Sequence, residues 1–106
     1  MSYIEYDKSQ YELKFNLERL ELIEKALGRP IITVYTENKG AFALNEMRLV
    51  FQISLKEVGS DYFCSNKKAK EIFESIIQQE NGYKSTNAYI AEKLQEDCPF
   101  LFPTDL

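Results

Sequence analysis

Residues 11–28 read YELKFNLERLELIEKALG, and the apolar rhythm changes period within them. Tyr11, Leu13 and Phe15 alternate with Glu12, Lys14 and Asn16, the pattern of a half-buried strand. From Leu17 the period becomes helical, with Leu20, Ile23 and Leu27 on one face and Glu18, Arg19, Glu21 and Lys25 around it. Asn16 suits an N-cap, and Gly28 suits the exit, where a left-handed residue ends a helix. Strand, cap, helix and stop make a packing unit that carries no chemistry of its own.

The flanks extend this unit into an α+β, mostly helical domain. Ser2 to Tyr6 reads as a strand and Asp7 to Gln10 as a polar turn, so an N-terminal β-hairpin is expected even without an Asn-Gly turn. Arg29-Pro30 breaks the chain after the first helix. Ile31 to Thr36 stays open: its β-branched residues favour a strand, while Pro30 could begin a short helix. Glu37 to Gly40 is a polar loop.

A second helix is expected over Leu44–Val58, with Met47, Val50, Phe51, Ser54, Leu55 and Val58 on one face and Gly59 as its stop. Leu49 and Ile53 fall off that stripe. The helix is therefore either central to the core or offers a second face to a partner. The third helix, Asn66–Glu80 with Ser65 as cap, carries the stripe Ala69, Ile72, Phe73, Ile76 and Ile77 and stops at Asn81-Gly82. The fourth, Thr86–Asp97 with Ser85 as cap, has a thin face of Tyr89, Ile90 and Leu94, and Cys98-Pro99 ends it. The expected architecture is one domain over 1–98, a hairpin packed on about four helices with the second and third at the centre. An apolar tail, 99–106, follows. Its residues Phe100, Leu101, Phe102 and Pro103 either fold back over the core or form a hook for a partner or a second copy.

Composition narrows the function. The 106 residues are 44% hydrophobic and 13% aromatic, a globular balance. Thirteen basic residues face 17 acidic ones, and the net charge of −4 is interspersed along the helices. Lys67, Lys68 and Lys70 sit beside Glu71 and Glu74, so no basic face suits nucleic acid. Met1 to Lys8 is polar and does not read as a signal peptide. No apolar run approaches the ~20 residues that span a bilayer. Cys64 and Cys98 fit no CxxC or zinc pattern and read as reduced thiols.

Catalysis finds no support. Histidine is absent, which removes the commonest general base and metal ligand. Glu18, Glu21 and Glu24, and likewise Glu92, Glu96 and Asp97, match no carboxylate metal motif. The glycines form no phosphate loop. No enzyme activity, cofactor or metal is expected.

The run YELKFNLERLELIEKALGRPIITVY, followed after a short loop by ALNEMRLVFQISLKEVGSD, resembles the small tail assembly chaperones of long-tailed bacteriophages and prophages of Gram-positive bacteria. The likeness lies in the order: alternating strand (Tyr11, Leu13, Phe15), cap (Asn16), leucine-rich helix ending in Leu27-Gly28, a helix ending in Val58-Gly59, and two more helices. It covers most of 1–98. The segment Ile31 to Thr36 departs from it, since family members often read as helical there. The resemblance implies a non-enzymatic homo-oligomer that binds the tape measure protein, keeps it soluble and recruits tail tube subunits. It also implies a short form of a product that can be lengthened by frameshifting near Phe100 to Pro103. Such a protein acts in the host cytoplasm and is absent from the mature virion. Leu49 and Ile53, with Phe100, Leu101 and Phe102, are the candidate partner-binding residues, chosen by periodicity. The competing expectations are a structural tail subunit retained in the virion and a small acidic regulator of the antitoxin or DNA-mimic type.

Overall fold

A computed structural model describes residues 3–37 and 39–102. The N-terminal hairpin pairs β1 (Ile4–Tyr6) with β2 (Ser9–Leu13) in antiparallel register, Ile4 opposite Tyr11 and Tyr6 opposite Ser9. Asp7 and Lys8 close it in the left-handed region, at φ 50° and 68°. That is the twist a two-residue hairpin turn requires, reached here without glycine. The helix α1 (Leu17–Leu27) begins and ends where the sequence places it. Asn16 Oδ1 accepts the Arg19 N–H at 2.8 Å, and Gly28 takes the left-handed exit at φ 78°.

The open segment is a helix, α2 (Ile31–Glu37). The β-branched run is overruled by its surroundings. Glu24 Oε2 accepts the Ile31 N–H at 2.8 Å and caps the first turn, while Ile31 and Val34 turn into the core.

Next comes α3 (Leu44–Ser54), which stops well short of Val58. Leu55–Glu57 instead forms β3, antiparallel to β2, so the sheet has the order β1-β2-β3. The apolar spacing at Ser54, Leu55 and Val58 suits a helix, but β2 offers a row of unpaired backbone groups. Lys14 N–H donates to Ser54 O at 2.9 Å, and Val58 N–H to Gln10 O at 2.9 Å. Gly59, at φ 86°, then serves a turn after the strand rather than a helix end.

The helix α4 (Asn66–Ile77) starts on its Ser65 cap but ends three residues before Glu80, and α5 (Gly82–Asp97) starts at Gly82 rather than Thr86. Asn81, at φ 61°, makes the left-handed corner. Gly82 is fixed by close approach: a Cβ there would lie 2.3 Å from Ile77 O and 2.6 Å from Ile76 O. A 3-10 turn, Pro99–Leu101, follows α5. Ser2 and Pro103, expected in the first strand and the apolar tail, lie outside the described residues.

The helices α3 and α4 form the centre, Phe51 meeting Phe73 at 5.4 Å between ring centroids, and α1 and α5 also contact α3. Leu13, Ile23, Phe42, Met47, Val50, Ile72, Ile90 and Leu94 are wholly buried among them. The fold is α+β and mostly helical, with one strand and one helix more than the hairpin-plus-four reading.

Two substitutions test this account. Gly82→Ala pushes a methyl into the α4 carbonyls and should cost about 1–3 kcal/mol. Lys8→Gly relieves a left-handed side chain and should add about 1 kcal/mol. Urea titration of each variant measures both.

Candidate functional site

The helix α5 runs along the side of β2 that β1 leaves uncovered. Strand alternation turns the backbone of Tyr11, Leu13 and Phe15 toward β1, yet β1 reaches only to Ile4, opposite Tyr11. The N–H groups beyond that point are taken by side chains of α5. Tyr89 Oη accepts from Leu13 at 3.3 Å, and Asp97 Oδ2 accepts from Phe15 at 3.0 Å. Lys93 lies midway at helical spacing. Its ammonium sits 2.7 Å from Glu96 and 3.7 Å from Glu12, which also faces Lys56 at 3.8 Å. Lys14 reaches Asp97 at 3.5 Å. One face of one helix thus completes a strand edge.

Lys93 is only 3% exposed. Burial by itself lowers an ammonium pKa, but the hydrogen bond that Lys93 donates to Glu96 and the charge of Asp97 carry this one above the ordinary lysine value. The same bond lowers the Glu96 carboxyl. Burial pushes the Tyr89 phenol up to about 12. Both groups therefore hold their protons more tightly when folded.

A second polar clasp secures the loop before α3. The Asn87 side-chain amide serves both backbone groups of Phe42: Oδ1 accepts the N–H at 2.5 Å and Nδ2 donates to the carbonyl at 3.4 Å. Tyr83 Oη donates to the same carbonyl at 3.0 Å. Arg19 ties α1 to the far end of α3. It donates to Ile53 O at 2.9 Å and lies 3.9 Å above the Phe63 ring.

These networks are structural in chemistry. Every carboxylate in the α5 ladder already faces a cation or an N–H. Among the described residues no cluster of three or more His, Cys, Asp or Glu could hold a metal. Burial raises both thiols, Cys64 with help from Glu57 and Cys98 from Asp97, so neither is poised as a thiolate. No helix among the described residues is long and apolar enough to cross a membrane.

The residues picked from periodicity fall in two places. On α3, Leu49 is half-buried, and Ile53 packs against the core beside Arg19 of α1. At the C-terminal turn, Leu101 and Phe102 fold back on the core, Phe102 meeting the Tyr35 ring edge-on at 5.7 Å. Phe100 points out, 63% exposed. Among the described tail residues, Leu101 and Phe102 anchor the turn and Phe100 is exposed. Other exposed large apolar side chains among the described residues are Leu17 and Leu22 on α1, Leu44 on α3, and Tyr3, Tyr62 and Tyr83. Periodicity did not find Tyr89, Lys93 and Asp97 as a set. Their spacing of four was visible, but only the length of β1 shows what they face.

Compared with known proteins, the sequence matches no family model, and no curated protein or solved structure matches it.

Tyr89→Phe leaves the buried Leu13 N–H without its partner and should cost about 1–2 kcal/mol at neutral pH. The pH dependence follows from the sign of the shifts. With raised pKa values in the folded state, Tyr89 and Lys93 favour folding below the unfolded values of 10.0 and 10.5. That contribution is lost as pH rises toward about 12, the folded value of Tyr89. Urea midpoints should thus fall steeply above pH ~10, and Tyr89→Phe should flatten the fall.

Proposed function

We propose that this chain is a non-enzymatic tail assembly chaperone, which binds a tape measure protein and recruits tail tube subunits in the cytoplasm of a bacterial host. The observation that carries the reading is the C-terminal turn. Phe100 projects into solvent from a short turn that Leu101 and Phe102 pin to the core. A fixed aromatic at the surface suits capture of an apolar helical stripe, because the anchoring side chains are ordered before the client arrives. The element order supports it too: strand, Asn16 cap and α1 closing on Gly28 precede the remaining helices, as in the resembling chaperones.

Co-expression with the tape measure-like protein encoded nearby, then pull-down and light scattering, tests the reading. A soluble complex is expected, and Phe100→Ser should reduce the retained client severalfold without lowering the thermal midpoint. An insoluble client with no retained complex overturns it. Mass spectrometry of purified virions should not find the chain; its presence there would identify a structural tail subunit instead.

A further inference from the structure

Asn81 and Gly82 form the single Asn-Gly pair of the sequence. In an open chain such a pair is chemically labile, because glycine has no Cβ to shield its backbone nitrogen from the asparagine side chain before it. The fold sets the pair at the corner between α4 and α5. Burial does not protect it: Asn81 is exposed, and its side-chain amide makes no capping bond. Geometry protects it instead. At φ 61° and ψ 18° the Gly82 nitrogen nearly eclipses the Asn81 nitrogen and is turned away from Cβ, out of reach of Cγ. Its N–H is also held by Gln79 O at 2.8 Å. Bringing that nitrogen to Cγ takes a rotation between Asn81 Cα and its carbonyl carbon. The rotation breaks the Gln79 bond and lifts Gly82 from its seat against the Ile76 and Ile77 carbonyls. Ser85 N–H donates to Asn81 O at 2.9 Å, so the start of α5 is carried along.

We propose that Asn81 is a deamidation site gated by the seating of α5, inert while the corner is closed and converted irreversibly once it opens. The reaction needs only water. The Gly82 nitrogen gives its proton to solvent and attacks Asn81 Cγ. The bond from Cγ to the side-chain nitrogen breaks, ammonia leaves, and a five-membered imide closes. One water then opens the ring. Cleavage between Cγ and the Gly82 nitrogen leaves aspartate. Cleavage between the Asn81 carbonyl carbon and that nitrogen leaves isoaspartate, whose main chain runs through Cβ and Cγ and is one atom longer. The aspartyl product keeps the chain length and puts a carboxylate at the N-terminus of α5, which the helix dipole favours. The isoaspartyl product meets a corner with no slack, since Gly82 already lies too close to the α4 carbonyls to accept even a methyl group. The helix then cannot reseat in register, and Tyr89 and Asp97 lose their places beside β2. The site thus retires chains that have opened and spares those that have not. The inference does not rest on the chaperone reading.

Incubation of the full chain at mildly alkaline pH, folded and in urea beyond its midpoint, tests it. Peptide mass spectrometry follows residue 81, and enzymatic methylation separates isoaspartate from aspartate. In urea, isoaspartate should accumulate at residue 81 at least about tenfold faster than in the folded chain, where only the open fraction reacts. Tyr89→Phe weakens the seat of α5 on β2 without touching the corner, so it should raise the folded rate severalfold and leave the urea rate unchanged. Asn81→Asp should keep the thermal midpoint, whereas purified isoaspartyl chains should melt at a lower temperature. Equal rates in the folded and unfolded chain, a folded rate indifferent to Tyr89→Phe, or isoaspartyl chains that melt like the original overturns the proposal.

Discussion

A strand cannot end inside a protein with its amides unpaired, and most of this architecture follows from how β2 meets that demand. Its backbone continues inward past the end of β1, toward Leu13 and Phe15, both buried. The Leu13 N–H is buried and the Phe15 N–H part-buried, and an orphaned buried amide costs about 1–3 kcal/mol. The solution is α5, whose Tyr89 and Asp97 stand where a longer β1 would have stood. This fixes the direction of the last helix and its distance from the sheet. The remaining polar burial follows from it. Lys93, caught between Tyr89 and Asp97, needs Glu12 and Glu96, and Glu12 in turn holds Lys56 of β3.

Local signals were most legible where one residue suffices. Asn16 and Gly28 bound α1 because a capping amide and a left-handed exit act within a few residues. The stripe Ala69, Ile72 and Phe73 reads directly as the buried face of α4. Elsewhere tertiary pairing decided. Ser54, Leu55 and Val58 fit a helical stripe and a strand edge about equally, and β2 tips the balance after Ser54. For Ile31 to Thr36 the β-branched residues favour a strand and Pro30 a helix start, and a carboxylate seven residues back with two core contacts decides for the helix. Propensity is a weak prior wherever an unpaired edge or a cap stands within reach.

The surface was less legible still. Periodicity separates core from non-core, but it cannot say whether an off-stripe residue faces water or a neighbouring helix. The Ile53 side chain packs against the core, while Phe100, two residues from a side chain packed on Tyr35, is largely exposed. The ladder of Tyr89, Lys93 and Asp97 was hidden for a related reason. A lysine among Tyr89, Ile90 and Leu94 looks like the rim of an apolar face until the strand beside it is known.

The reach of that ladder along the chain bears on synthesis. Leu13 and Phe15 wait for acceptors 76 and 82 residues further on. A nascent chain can form the hairpin and α1 early, but β2 keeps unpaired amides until Asp97 has left the ribosome. Up to that moment the half-made domain offers an open strand to any neighbour, including another nascent copy on the same message. The last turns of α5 therefore act as the closing step of folding.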